Sequence, residues 1–352
     1  MASAIRGDDL TAQVSELRRQ YPELYACLDL GRIASWQSDR RDLPEQSDEF
    51  SPTASGGRGD EYLRAQKDNV TVRLTGIGNL MRLARGQLAE TDNETKAARE
   101  PGPVLVDLLG GDGLIRRACG LLDPEPGFSV LTCDASPFMV SAAWSGQQPA
   151  LLQRAERQLL RSCSVDVVLL AYGSHHISPD QRSAAVDEAY RVLRPGGVFL
   201  LHDFLVGSAT ERWFGQVVDR YSITGHQHTH YTESEIVGYL GKAGFEEQRL
   251  LEIEDPYTTC GPTQAAADAR LGKYLLDMYG LVKVSREMSA QAARDWALAQ
   301  AQQIFLADVP ADRRILSSRQ HDSGKWWSTI PRRAVVGIGQ KLAGHSARLS
   351  SC

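Results

Sequence analysis

Long apolar runs are missing from this chain of 352 residues. No segment approaches the roughly 18 consecutive apolar residues that a membrane helix needs. A basic surplus is missing as well: Lys+Arg number 39 against 44 Asp+Glu, a formal net charge of −5. A dedicated nucleic-acid binder normally carries an excess of positive charge, so the expectation is no nucleic-acid and no membrane partner. Cysteines are few and scattered (Cys27, Cys119, Cys133, Cys163, Cys260, Cys352), with no CxxC or comparable spacing. That argues against a cysteine zinc site or a disulfide frame, and for reduced, mostly buried thiols in a cytoplasm. The opening residues, MASAIRGDDLTAQVSEL, lack the apolar core of a signal peptide, which points the same way. There is no internal repeat and no low-complexity tract. With 42% apolar and 24% charged residues the chain suits a soluble globular protein.

What is present is an alternation of short apolar runs with amphipathic stretches. VLVDLL (104–109), FSVLTCD (128–134), ALLQRAE (150–156), VDVVLLAY (165–172) and GVFLLHDF (197–204) read as strands. Helical segments fall between them, for example RSAAVDEAYRVL (182–193), closed by Arg194-Pro195-Gly196-Gly197. Continuous apolar strands separated by helices imply βαβ units and a parallel sheet buried on both faces. Two more strands are expected at 246–255 and 332–342, with a mostly helical stretch between them. Before the first strand, Leu10 to Leu30 reads as a helix and Ser38 to Asp60 as a polar linker. Residues 60–88 read as a further helix, weakened or bent at Gly76 and Gly78. The resulting domain map is 1–58 (helix and linker), 59–100 (helical lid), 101–256 (α/β core), 257–330 (helical insert) and 331–352 (final strand and tail).

The first strand runs Val104-Leu105-Val106-Asp107-Leu108 into Leu109-Gly110-Gly111-Asp112-Gly113. Glycines at a strand-to-helix turn let the backbone approach a ligand, and an acid at the strand end can accept hydrogen bonds. Asp134 ends the second strand, where a carboxylate meets ribose hydroxyls. Glu156 ends the third apolar run, placed to accept from an adenine amino group. Over residues 104–204 these features, with the LRPGG approach to the fifth strand, resemble the class I S-adenosylmethionine (SAM)-dependent methyltransferases; weaker agreement extends to about residue 254. The resemblance implies a doubly wound, mostly parallel, seven-stranded Rossmann-like α/β sheet. It also implies SAM as cofactor and S-adenosylhomocysteine as product. Asp107, Gly111 and Gly113 would hold the methionyl part, Asp134 the ribose and Glu156 the adenine. One departure stands out: the family pattern D-x-G-x-G-x-G has Leu109 where its first glycine falls, which would narrow the pocket or change the pose of the methionyl tail. The GxGxxG spacing of a dinucleotide fold is not met.

Six of the eight histidines lie between residues 175 and 230. The tips of the fourth and fifth strands, where catalysis sits in a doubly wound sheet, read Ala171-Tyr172-Gly173-Ser174-His175-His176 and His202-Asp203-Phe204. His226 and His230 are candidate general bases, because an unperturbed imidazole titrates near working pH. Tyr172 and Asp203 would orient them or the substrate. A metal is not the leading expectation, but His226, His228 and His230 alternate, so an extended segment would turn all three to one face, with His202 and Asp203 as added ligands. A third reading makes these histidines surface or core residues, best suited to the His175-His176 pair. Tyr62, Tyr172, Trp213, Phe214, Tyr221, Tyr231 and Tyr257 would wall a pocket for a cationic sulfonium or simply pack a core. Tyr274, Met278, Tyr279 and Trp326-Trp327 read as core, lid or interface residues. Arg270, Lys273 and Lys283 read as a solvated helix face.

Methyl transfer from a sulfonium is an in-line displacement, so the protein mainly aligns donor and acceptor and excludes water. The expected acceptor is a small secondary-metabolic precursor, aromatic or amino-acid-derived. Segments 60–88 and 258–325 would cover the site and set substrate choice. Two rival readings stay open: a SAM-binding enzyme that cyclises or rearranges SAM itself, and a SAM-binding regulatory subunit. Homodimer formation by exchange of the N-terminal helices is also left open.

Overall fold

The computed structural model describes residues 5–39, 50, 58–91, 102–310, 318–320 and 323–342. Its strands are β1 (Val104–Leu108), β2 (Ser129–Asp134), β3 (Ala150–Leu152), β4 (Val165–Ala171), β5 (Leu193–Asp203), β6 (Glu247–Glu254), β7 (Tyr257–Gly261), β8 (Ser318–Gln320), β9 (Trp326–Ile330) and β10 (Arg333–Gln340). Seven of them make one sheet in the order β3-β2-β1-β4-β5-β10-β6. Strands β1 to β5 pair in parallel, and β10 runs antiparallel to both its neighbours. Every residue of β1 and β4 is buried, as expected for strands covered by helices on both faces. The edge strand β6 is mostly exposed and carries Glu247, Arg249, Glu252 and Glu254, charges that discourage edge-to-edge pairing. The expected doubly wound sheet is therefore present. The chain reverses its winding between β1 and β4, so the tips of these strands open onto the crevice where α/β folds bind ligands.

The helices start and stop where the local chemistry directs. Ser136 caps Pro137–Ser145 by accepting from the Met139 N–H. Thr232 and Glu235 form a reciprocal capping box on Glu233–Ala243, which ends at Gly244 in the left-handed region (φ 96°). Elsewhere the boundaries differ from expectation. Leu10 to Leu30 is not one helix: it breaks after Gln20, because Pro22 has no N–H to continue the ladder, and a second short helix begins there. The 60–88 segment breaks at residues 70–73, a 3₁₀ turn between helices Arg58–Asp68 and Leu74–Thr91. Gly76 and Gly78 lie inside the second helix without breaking it. The reason for Gly76 is close approach, since a Cβ there would fall 1.9 Å from Asp255 Oδ1. Most of the expected polar linker (40–49 and 51–57) and the 343–352 tail lie outside the described residues.

The insert between β6 and β10 is not purely helical. Its helices Gln264–Met278, Val282–Glu287 and Ala290–Phe305 are joined by a small antiparallel sheet, β7-β9-β8. The β-branched and aromatic content of YTTCG and WWSTI, with buried positions alternating along β7, favours strands there. Trp326 and Trp327 are thus half-buried strand residues. The insert shares a buried core with Ala65, Val72, Phe204 and Trp213, which joins it to the helix Arg58–Asp68 and to the chain just past the tip of β5. Among the cysteines, Cys27, Cys119 and Cys133 are buried and free and Cys260 is exposed and free. Cys163, however, is disulfide-bonded, against the expectation of reduced thiols throughout.

Helices Gln264–Met278 and Ala290–Phe305 cross at Gly272, where a Cβ would lie 2.3 Å from the Arg294 carbonyl oxygen. Gly272→Val forces the two backbones apart and is expected to cost about 1–3 kcal/mol, the range for overpacking. Urea unfolding followed by circular dichroism measures it; an unchanged midpoint would show that the crossing has slack.

Candidate active site

The turn after β1 places Leu109, Gly111 and Gly113 in the left-handed region, with φ of 61°, 58° and 84°. Leu109 therefore supplies the backbone conformation that a glycine adopts at no steric cost, while adding a side chain that reaches Gly173. Gly110 must be glycine for another reason: a Cβ there would fall 2.6 Å from Asp107 Oδ2. The Gly111 N–H donates to Asp134 Oδ2 (2.9 Å) and the Ser136 N–H to Asp134 Oδ1 (2.8 Å). These two bonds fix the half-exposed Asp134 carboxylate at the tip of β2. Beside it, buried Asp107 leaves Oδ2 without a hydrogen-bond partner, and Thr132 does the same with its hydroxyl. Burial, reinforced by the nearby Asp134 charge, pushes the Asp107 carboxyl well above its usual range. Glu156 lies in the loop beyond β3 and pairs with Arg154 (2.6 Å). Asp107, Gly111, Gly113 and Asp134 thus converge on one crevice.

The four candidate catalytic residues separate into two groups. Neighbours on a strand point to opposite faces, and His202 and Asp203 obey this at the tip of β5. Asp203 is fully buried. It accepts from the His175 N–H (2.8 Å), the Phe204 N–H (2.7 Å) and the Ser174 hydroxyl, and its Oδ1 lies 2.9 Å from His175 Nδ1. His230 Nδ1 stands 3.8 Å from the same oxygen. Burial opposes its charge, but His175, then His230 and Ser174, outweigh it and hold the carboxyl well below its usual range. Burial depresses the His175 imidazole in turn. His226 stacks on Phe214 with ring centres 3.8 Å apart and lies 5.0 Å, centre to centre, from His175. Asp203, His226 and His230 are therefore gathered around His175, a residue whose pairing with a strand 28 positions away no local spacing reveals.

Tyr172 belongs to the other group. Its backbone is also left-handed (φ 63°), and its hydroxyl donates to Asp255 Oδ1 (3.3 Å). Asp255 Oδ2 accepts from Arg332 (2.5 Å) and lies 3.3 Å from His202 Nε2. Burial works against this carboxylate, yet Arg332 and His202 keep it below its usual range. Arg332 also donates to the Tyr257 hydroxyl (2.6 Å), which meets the Tyr279 hydroxyl at 2.7 Å. A second buried arginine, Arg73, donates to the Tyr274 hydroxyl (2.8 Å) and lies over the Tyr172 ring at 4.9 Å. It forms no ion pair with a described residue, so this chamber holds two arginines against one carboxylate. Arg73, Asp255 and Arg332 escaped sequence reasoning because 77 positions separate the last two. Of the expected aromatic wall, Tyr172 and Tyr257 stand here, joined by Tyr274 and Tyr279. Trp213 packs instead against Tyr279 and Phe305 in the core. Arg270, Lys273 and Lys283 are exposed: Arg270 donates to the Cys260 carbonyl, Lys273 pairs with Asp277 one turn on, and Lys283 donates to the Arg220 carbonyl (2.9 Å).

Asp255→Ala strands Arg332 in a dry interior. A loss of about 3–5 kcal/mol is expected, the cost of breaking one side of a buried pair, measured by denaturant unfolding. Acid should act on the same groups. Because Asp203 and Asp255 have lowered pKa values in the fold, their contribution is complete above the unfolded carboxylate value of about 3.9 and disappears as pH falls through their folded values. Stability measured from pH 7 downward should drop below about pH 4, and Asp203→Asn should flatten that drop. An equally steep drop in the variant would remove Asp203 from the account.

Residues 106–201 match a family model described as a methyltransferase domain. No curated protein matches the chain. Solved structures with a similar fold include phosphoethanolamine N-methyltransferase 2 of Haemonchus contortus with S-adenosyl-L-methionine (16% identity, 84% of this chain and 60% of that one, TM-score 0.48). Another is YcgJ of Bacillus subtilis (18%, 76% and 98%, TM-score 0.43). A third is magnesium protoporphyrin IX methyltransferase of Synechocystis with SAM (17%, 59% and 88%, TM-score 0.40). The glycine turn and the acids at the tips of β1 and β2 all fall inside the stretch that matches the methyltransferase domain, residues 106–201.

Proposed function

We propose that this chain transfers a methyl group from SAM to a small, carboxylate-bearing, amino-acid-derived or aromatic acceptor. The observation that carries the cofactor half is the Asp134 carboxylate, held by two backbone N–H groups beside a turn with orphaned polar atoms. A polar ligand fits there, because Asp107 Oδ2 and the Thr132 hydroxyl are buried without hydrogen bonds, a cost that a ligand's donors and acceptors would relieve. Asp107, Gly111 and Gly113 would hold the methionyl end, Asp134 the ribose hydroxyls and Glu156 the adenine. Bound there, SAM supplies a methyl group on an excellent leaving group.

The chain's own work is alignment and dryness. The insert and the helix Arg58–Asp68 share one core at the tip of β5, which supports their role as cover. The acceptor half rests on charge: two buried arginines face one carboxylate among Tyr172, Tyr257, Tyr274 and Tyr279, a balance that an acceptor carboxylate would complete. Tyr172 would position the acceptor from the Asp255 network. His226 and His230 would be the groups that take up its proton, with Asp203 positioning them through His175. The acidic net charge supports a small molecule over a nucleic acid as acceptor. No helix among the described residues is long and apolar enough to cross a membrane.

Calorimetry on the purified chain should register both SAM and S-adenosylhomocysteine. Hydrogen bonds to a charged group are worth about 1.5–3 kcal/mol, so Asp134→Ala should weaken SAM binding by roughly ten- to a hundredfold. Turnover on a panel of amino-acid-derived and aromatic acids should yield S-adenosylhomocysteine. Methylthioadenosine as the product would replace methyl transfer by attack within the methionyl chain, and no heat with either ligand would end the proposal.

A further inference from the structure

The five histidines on the Asp203 side do more than flank a carboxylate. His175 and His176 sit in the 3₁₀ turn after β4, and residues 226–230 wrap around them. Ring centres lie 5.0 Å apart for His175 and His226, 4.9 Å for His175 and His230, and 4.1 Å for His176 and His228. One ligand atom from each of His175, His176 and His226 falls within 4.8 Å of the others. His175 is the key member. Its Nδ1 is held by Asp203, which leaves Nε2, buried and without a hydrogen-bond partner, as the nitrogen available to a ligand. A carboxylate on one nitrogen and an available second nitrogen is the outer-shell arrangement that orients metal-binding histidines.

We propose that His175, His176 and His226 bind a divalent transition-metal ion of the zinc class, with Asp203 as the positioning residue behind His175. Three imidazoles with no thiolate or carboxylate in the inner set suit Zn²⁺ or Co²⁺ rather than Mg²⁺ or Ca²⁺, which take oxygen ligands. Nitrogens around a tetrahedral zinc lie about 3.4 Å apart, so the three side chains close in by a small adjustment on binding. Phe214, which opens the π-helical turn Phe214–Val218, fixes the plane of His226. His176 is half-exposed and gives the ion a way in from solvent. The ligand set differs from the one alternation suggests: His202 points to the opposite face, toward Asp255, and Asp203 is occupied by His175.

Three protein ligands leave a tetrahedral ion one open position. A Cβ built at Gly173 would touch Leu109 Cδ1 at 3.7 Å and His176 Cδ2 at 3.9 Å, so the cluster and the glycine turn face each other across one residue. The open position would therefore take an oxygen or nitrogen donor of a molecule lying beside that turn. Metal binding itself requires only the histidines and stands apart from the cofactor reading; with His226 on the ion, proton uptake falls to His230 alone.

The test uses untagged full-length protein, stripped with a chelator and dialysed. Zinc chloride titrated by calorimetry should bind at one ion per chain, and Co²⁺ should produce visible ligand-field bands. His176→Ala and His226→Ala should each lower Zn²⁺ affinity at least tenfold and abolish the Co²⁺ bands. Their metal-free melting temperatures, compared with that of the metal-free parent, report folding. His176→Ala keeps the test valid if His226→Ala disturbs the stack on Phe214, because the His176 side chain is half-exposed. Absence of stoichiometric binding by the parent, or equal affinity in parent and His176→Ala, would overturn the assignment.

Discussion

The buried carboxylate of Asp203 organises the reactive edge of this protein. A charge in a dry interior survives only when its lone pairs are filled, and Asp203 fills them with two backbone N–H groups, the Ser174 hydroxyl and His175. Those bonds tie the tip of β5 to the turn that follows β4. They also fix which nitrogen of His175 faces outward. The neighbouring histidines take their places relative to that ring, so the geometry of the whole cluster follows from meeting one electrostatic demand.

One residue earlier, the pleat turns His202 to the other face, where Asp255 meets the same demand with Arg332, His202 and Tyr172. The two faces of one strand tip thus support two chemically different chambers. One is rich in imidazole. The other carries surplus positive charge among phenols. Between them the glycine turn of β1 presents backbone N–H groups and the fixed Asp134 carboxylate. A donor at that turn would have a cationic, aromatic chamber on one side and proton-accepting or metal-binding imidazoles on the other. The cover shared by the insert and the helix Arg58–Asp68 would shield both.

The strands and the cofactor turn were legible because their causes are local. Short, β-branched apolar runs bounded by turn residues suit strands buried on both faces, and β1 to β5 lie where the runs lie. The acids at the tips of β1 and β2 follow from strand length, and the fold sets Asp134 beside the Gly111 N–H and near Asp107. Leu109 shows the limit of reading a motif by residue type: the side chain changed and the backbone conformation did not. The helical reading of the insert failed at YTTCG and WWSTI, whose short runs become strands only by pairing with each other across 65 positions or more.

The sequence alone determined the order of strands β1 to β5, the glycine turn at the end of β1, and the concentration of histidines near the tips of β4 and β5. Those depend on periodicity and turn chemistry, which neighbours in the chain set. Tertiary structure decided the partners: His175 for Asp203, Arg332 and His202 for Asp255, Tyr274 for Arg73. Pairings across tens to hundreds of residues depend on which side chains the sheet register and the helix crossings bring together. That is fixed by packing the whole chain, and no window of sequence contains it.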